Sequence, residues 1–322
     1  MSNQREMPLT PQRGWYSWHL HLSSTARSMH DRVILDVVEP VVGAVAPSGF
    51  FFIRYWQAGP HVRLRMHGLS PGSARRAEAL LAERLPAAVE LRGDEQPIDR
   101  DQFGLQAASL ATAGEQGRSL PVETLCEPGV YRARYEPEFD RYGGADLVPL
   151  SERLFEKSSR VVLDILREGP GLWARANSAA TAVAAAILAL GNPELGRAFC
   201  AHGLAFWRGY CDSLGFPGKV IAQVVRSGQR NGDQLARQSG TLFRQAEHGP
   251  MRPWASAVRE ALPIWRESLP LPGGRATALS VLSSHVHMVH NRLGLVAHEE
   301  MFSYVSLNRV LEIIGDPEPK AA

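Results

Sequence analysis

The most constraining feature of this sequence is a pair of short segments joined by a turn. Residues 50–56, Phe50-Phe51-Phe52-Ile53-Arg54-Tyr55-Trp56, are aromatic and β-favouring. Gln57-Ala58-Gly59-Pro60 has turn chemistry. Residues 61–67, His61-Val62-Arg63-Leu64-Arg65-Met66-His67, then alternate with period two. The whole reads as an antiparallel β-hairpin. Residues 15–22 alternate as well: Tyr16, Trp18, Leu20 and Leu22 share one face, and Trp15, Ser17, His19 and His21 the other. A short strand is expected over residues 130–135.

Helical composition fills most of the remainder. Residues 24–45 and 71–91 are helical, the latter with Pro86 as a breaker. Residues 146–167 form another helix. Residues 93–121, rich in Gly, Gln, Asp and Ser, read as a surface loop with one strand near 105–110. From Trp173 onward the chain reads as successive helices, with breaks at 191–193, 215–218, 249–250 and 269–274. The expected class is α+β: one domain over residues 1–322, with a sheet-bearing half (1–170) and a helical half (171–322).

Composition narrows the function classes. A chain of 322 residues with 44% hydrophobic residues buries a substantial core. The net charge of +2 is too small to argue for non-specific nucleic-acid binding. Three cysteines without a CxxC unit exclude a disulfide scaffold and fit a reducing cytoplasm. The longest apolar run, residues 179–190, is well short of the roughly 20 residues a membrane span requires and reads as a buried helix. The N-terminal residues are polar and lack the apolar core of a signal peptide.

Common catalytic signatures fail. His298-Glu299-Glu300-Met301-Phe302 begins like a zinc-protease helix but has Phe at the second histidine position. GxGxxG, Walker A and GxSxG are absent. Linear spacing of His, Cys and carboxylates shows no metal site, so no metal and no cofactor is expected.

Three constellations remain. On strand 61–67, His61, Arg63, Arg65 and His67 face one way, a cationic surface suited to carboxylate or phosphate. Its plain alternative is a solvated sheet face. Arg54, set among aromatics on the preceding strand, is a candidate partner. Residues 135–144, Tyr135-Glu136-Pro137-Glu138-Phe139-Asp140-Arg141-Tyr142-Gly143-Gly144, crowd acids and Arg141 around a Gly-Gly turn. The alternative there is a connection in which Arg141 merely pairs with Glu138. On a helix around residues 283–294, Ser283, Ser284, His287, His290, Asn291 and Gly294 line the face opposite an apolar stripe. Imidazole there can accept a proton at neutral pH. The alternative is a self-satisfied interhelix contact.

At these residues the chain resembles a known family. Phe51-Phe52-Ile53-Arg54-Tyr55, Gly59-Pro60-His61-Val62-Arg63-Leu64-Arg65, Glu138 with Arg141-Tyr142-Gly143-Gly144, and His287-Met288 with Asn291-Arg292-Leu293 occur in this order. They look like the C-terminal domain of class I lanthipeptide dehydratases, which also occurs as a stand-alone thiopeptide-type bacteriocin biosynthesis protein. The resemblance implies a lyase. A separate tRNA-dependent partner esterifies Ser or Thr of a precursor peptide with glutamate, and this domain eliminates the glutamate to leave dehydroalanine or dehydrobutyrine.

The resemblance places catalysis on His287, Arg63, Arg65 and Arg141. Substrate-binding candidates are Arg54, His61, Ser284, His290 and Asn291. The expected partners are the glutamylated precursor peptide and the glutamylating protein, with no direct nucleic-acid or membrane contact; a homodimer is allowed. Two departures stand out. The family often has a second histidine directly after His-Met, whereas here Val289 stands there and His290 follows, which leaves open which imidazole acts. The segment between Arg65 and Arg141 is also long. The competing readings are a pyridine synthase of the same fold and a non-catalytic peptide-binding subunit.

Overall fold

The computed structural model describes residues 8–113, 119–269 and 277–314. The chain divides into two compact units, Met1–Pro137 and Glu138–Ala322.

The first unit is built on a four-stranded antiparallel sheet in the order β2-β3-β1-β4. Its strands are β1 (Trp15–His21), β2 (Gly49–Tyr55), β3 (His61–His67) and β4 (Gly129–Ala133). The expected hairpin is β2–β3, in the register Phe50↔Met66 to Tyr55↔His61. β1 lies on the other side of β3 and β4 on the outer side of β1. Opposed residues share a face, so Trp18, Leu20, Val62, Leu64 and Phe52 form one apolar face, each with no exposed surface.

The helices α1 (Arg27–Val33), α2 (Glu39–Val45) and α3 (Pro71–Ala88) belong to this unit. A π-helical turn over Ile34–Val38 joins the first two. Ser70 caps α3 by accepting the Ser73 N–H, and Pro71 sits in the first turn, where no N–H is missed. Pro86 is accommodated in the last turn of α3 instead of ending it. Glu78 of α3 accepts from Trp18 Nε1 at 3.1 Å and takes a two-pronged grip from Arg132 of β4, with both contacts at 2.7 Å.

Residues 100–113 correct the sequence expectation of a loop with a strand. They form α4 (Arg100–Ala113), with Phe103, Ala107 and Ala111 buried at helical spacing. The Gly, Gln and Ser that suggested a loop occupy its solvent side, and packing outweighs their weak propensity. The remainder of that expected loop includes residues 114–118, which lie outside the described residues.

One buried ion pair in this unit gives a pH prediction. Glu95 accepts from Arg32 at 2.9 and 3.1 Å, from Ser28 Oγ at 2.5 Å and from the Arg92 N–H at 3.0 Å. The Arg32 hydrogen bonds are the main cause holding its carboxyl down at about 2, against an ordinary 4.5. A carboxylate depressed by folding adds stability above its unfolded value and loses it as pH falls through its folded one. Glu95→Gln is therefore expected to lower the melting temperature at neutral pH. The deficit should shrink as pH falls from 4.5 toward about 2. Thermal melts with a pH-independent deficit contradict this account.

Helices are the regular elements of the second unit's described residues. It holds α5 (Val148–Arg167), α6 (Leu172–Leu190), α7 (Pro193–Ser213), α8 (Gly218–Arg237), α9 (Ser239–His248), α10 (Arg252–Ser268), α11 (Ala278–Leu293) and α12 (Ala297–Ile314). The sheet-bearing part ends at Pro137, earlier than residue 170, because α5 packs on α10 and α11 of this unit. α6 is long and apolar enough by composition to cross a membrane, but most of its side chains from Ala179 to Leu190 are buried in the core of this unit. The expected breaks at 191–193, 215–218 and 249–250 are present. Most of the one at 269–274 lies outside the described residues. Two further breaks, at Gln238 and Gly294, carried no proline signal.

Small residues set the spacing in the second unit. A Cβ at Gly203 of α7 would lie 2.3 Å from the Tyr304 ring of α12. A Cβ at Gly228 or Gly232 of α8 would lie 2.7 Å or less from Val305 or Arg309 side-chain atoms. α12 thus runs close against two neighbours.

Candidate functional site

The structure gathers the candidate residues into two groups, one in each unit. In the first unit, the register puts Ser17, His19 and His21 of β1 beside Arg65, Arg63 and His61 of β3. This is the face opposite the apolar one. Arg63 stacks its guanidinium 3.4 Å from the centre of the Tyr55 ring and donates from Nε to His61 Nε2 at 3.1 Å. Arg65, 6% exposed, lies between the rings of Phe51 and Tyr135 at 5.3 and 5.2 Å.

Burial favours the neutral form of His19, His21 and His61 on this face. Burial, then the charge of Arg63, pushes His21 down to about 4. Burial also lowers His19 and His61 well below the ordinary range. His61 is buried, and its Nδ1 proton goes to the Gly59 carbonyl at 2.8 Å. It therefore has no proton to offer a substrate anion.

Arg54 is corrected. It pairs with Val62, which puts it on the apolar face, away from Arg63 and Arg65. There it donates to Asp31 of α1 at 2.6 Å. The aromatic setting that marked it as special reflects burial in a strand-to-helix ion pair.

In the second unit, α11 carries the chemistry. A capping box fixes its start: the Ser280 N–H donates to Thr277 Oγ1, and the Thr277 N–H donates to Ser280 Oγ. Gly294 ends it in the left-handed conformation, with φ of 78°. His287, Ser284 and Asn291 lie half-buried on one face. Arg141 reaches this face: its Nε donates to Ser284 Oγ at 3.1 Å, and its Nη1 donates to Glu138 at 3.1 Å.

The turn that delivers Arg141 depends on its glycines. Gly143 and Gly144 have φ of 85° and 104°. A Cβ at Gly143 would lie 2.7 Å from Leu147 and Leu269. The Glu138–Arg141 pair offered as a plain connection is present, but Arg141 also bonds to the helix that bears His287.

The sequence reading missed Glu300. This residue of α12 is 2% exposed, and its two oxygens accept from His287 Nδ1 at 3.0 and 3.1 Å. It also accepts from His290 Nδ1 at 3.1 Å. Burial alone would raise the Glu300 carboxyl, but the His287 charge and the hydrogen bonds from both histidines bring it below its ordinary value. An ionised Glu300 can only accept, so a neutral His287 carries its proton on Nδ1 and leaves Nε2 as a proton acceptor. The only sequence signal was the His-Glu-Glu run, which suggested a metal helix instead.

The geometry separates the two imidazoles. The His287 side chain is 27% exposed, with Trp207 of α7 against its ring at 5.2 Å. His290 has no exposed surface, and its Nε2 faces the Ala179 carbonyl at 3.2 Å. His290 is thus a buried partner of Glu300 and has no surface for a substrate to touch. His285 is buried too, against Trp265 and Ser151 Oγ.

Comparison with known proteins fits both units. A family profile described as lantibiotic biosynthesis dehydratase, C-terminal, matches residues 15–311. The chain therefore belongs to the family of lantibiotic dehydratase C-terminal domains. No curated protein matches it. Among solved structures it is similar to TbtD, a pyridine synthase from thiomuracin biosynthesis, at 20% identity and a TM-score of 0.71, covering 93% of this chain and 98% of that one. It is also similar to TsrL, at 18% identity and a TM-score of 0.60, covering 92% and 94%. A third likeness is to the tRNA-dependent lantibiotic dehydratase MibB from Microbispora sp. 107891, at 21% identity and a TM-score of 0.54. That match covers 95% of this chain but 29% of MibB. At these identities the likeness establishes the fold.

Proposed function

We propose that the chain is the glutamate-eliminating component of a split peptide dehydratase. The observation that carries this reading is His287, oriented by buried Glu300, one helical turn from Ser284, which Arg141 holds. Elimination from a glutamylated Ser or Thr breaks the Cα–H and Cβ–O bonds and forms a Cα=Cβ double bond. His287 Nε2 takes the α-proton. The Cβ–O electron pair departs with the glutamate carboxylate. Arg141 suits the enolate-like charge that develops, and the cationic strand with Arg63 and Arg65 suits carboxylate recognition. The substrate is a precursor peptide already glutamylated by a separate protein, and the reaction is a cytoplasmic one.

A second reading draws on the likeness to TbtD, which matches this chain nearly end to end. A pyridine synthase would join two dehydroalanines and would not require the His287–Glu300 pair. One assay separates the two. A glutamylated precursor peptide is incubated with the purified chain and its mass followed. Loss of glutamate with formation of a dehydrated residue is expected. An unchanged glutamylated peptide, together with cyclisation of a pre-dehydrated one, overturns the lyase in favour of the synthase.

A further inference from the structure

We propose that His19, His21 and His61 form a binding site for one divalent transition-metal ion of the zinc, cobalt or nickel type. The inference is independent of the elimination reading. Linear spacing does not display the site, because β1 supplies two of the imidazoles and β3 the third. The β1–β3 register sets His21 directly opposite His61 and His19 opposite Arg63, on one face. One ring nitrogen from each histidine lies within 4.8 Å of the others. The His61 ring centre is 4.4 Å from that of His21 and 4.7 Å from that of His19. Zinc–imidazole bonds of about 2.0–2.1 Å require the stacked rings to rotate about their side-chain bonds and bring these donors closer together.

Two observations favour a cation over an anion. The His61 Nδ1–H is committed to the Gly59 carbonyl, which orients the ring and leaves Nε2 as a lone pair. A backbone carbonyl is one of the common outer partners of a metal-bound histidine. The buried Nδ1 of His21 has no hydrogen-bond partner.

Arg63 is the counterweight. It donates to the His61 nitrogen that a metal would take, and its charge opposes a second cation. A metal and the Arg63 Nε–H are therefore alternative occupants of one lone pair. The guanidinium keeps its place over Tyr55 when that contact is given up.

The test is titration of the untagged full chain with Co²⁺ alone, read by its visible absorption, followed by displacement with Zn²⁺. One equivalent of Co²⁺ is expected to bind. His21→Ala should weaken it about 100-fold, while His202→Ala, at an exposed histidine, should leave it unchanged. Arg63→Gln should tighten it at least tenfold, a gain that misfolding does not produce. If His21→Ala fails to fold by circular dichroism, His19→Gln is expected to show the same loss. Absence of stoichiometric binding, binding that survives loss of His21 or His19, or binding that Arg63→Gln fails to tighten overturns the site.

Discussion

His287→Ala leaves the glutamylated peptide unconverted, with turnover down by about 10²–10⁴-fold, the usual contribution of a positioned general base. The intermediate accumulates with its glutamate attached, so the defect is visible by mass as well as by rate. Glu300→Gln tests how the base is held. Glutamine can present an amide N–H to His287 and so unsettle the tautomer that the carboxylate imposes. Turnover is expected to fall about 10- to 100-fold, the scale of other orienting partners of histidine. Glu300→Asp keeps an acceptor-only carboxylate and is expected to retain more turnover than Glu300→Gln. Equal losses in the two variants contradict the orienting role.

Gly203→Ala is the second large effect, this time on stability. The added methyl would sit 2.3 and 2.4 Å from Cε1 and Cδ1 of Tyr304, a ring with no exposed surface. Overpacking of this kind costs about 1–3 kcal/mol, occasionally more. For a unit of this size that corresponds to a fall in melting temperature of roughly 2–12 °C. Gly209, on the same helix, meets nothing within 4 Å, so Gly209→Ala is expected to be neutral or slightly stabilising. Tyr304 follows Glu300 by one turn of α12, so Gly203→Ala should also loosen the hold on His287. Equal melting temperatures for the two variants contradict the packing account.

The parts of the fold legible in the sequence were those with strong periodicity. Strand 61–67 alternates without error, and its cationic face, with Arg63 and Arg65, follows directly. The helix bearing His287 was legible from its apolar stripe. α4 was not, because its three buried positions are two alanines and a single phenylalanine, a faint stripe among loop-like residues. Arg54 was misjudged because its aromatic neighbours conceal its parity; pairing it with Val62 reveals the face it occupies. Glu300 was invisible for a different reason. Its role exists only once α12 packs beside α11, and no local pattern encodes that approach. The same holds for the three histidines, which meet only through strand register.

The strand order β2-β3-β1-β4 has a consequence for how the chain is made. β1, β2 and β3 are all complete by His67, but β4, the partner of β1, ends only at Ala133. At ribosomal rates of about 5–20 residues per second, several seconds pass before that partner is synthesised. During that interval the outer edge of β1, with Trp18 and Leu20, is an open hydrogen-bonding rail on the nascent chain. The growing protein is then most prone to pair with other nascent chains, and slowing translation between residues 68 and 133 would lengthen that exposure.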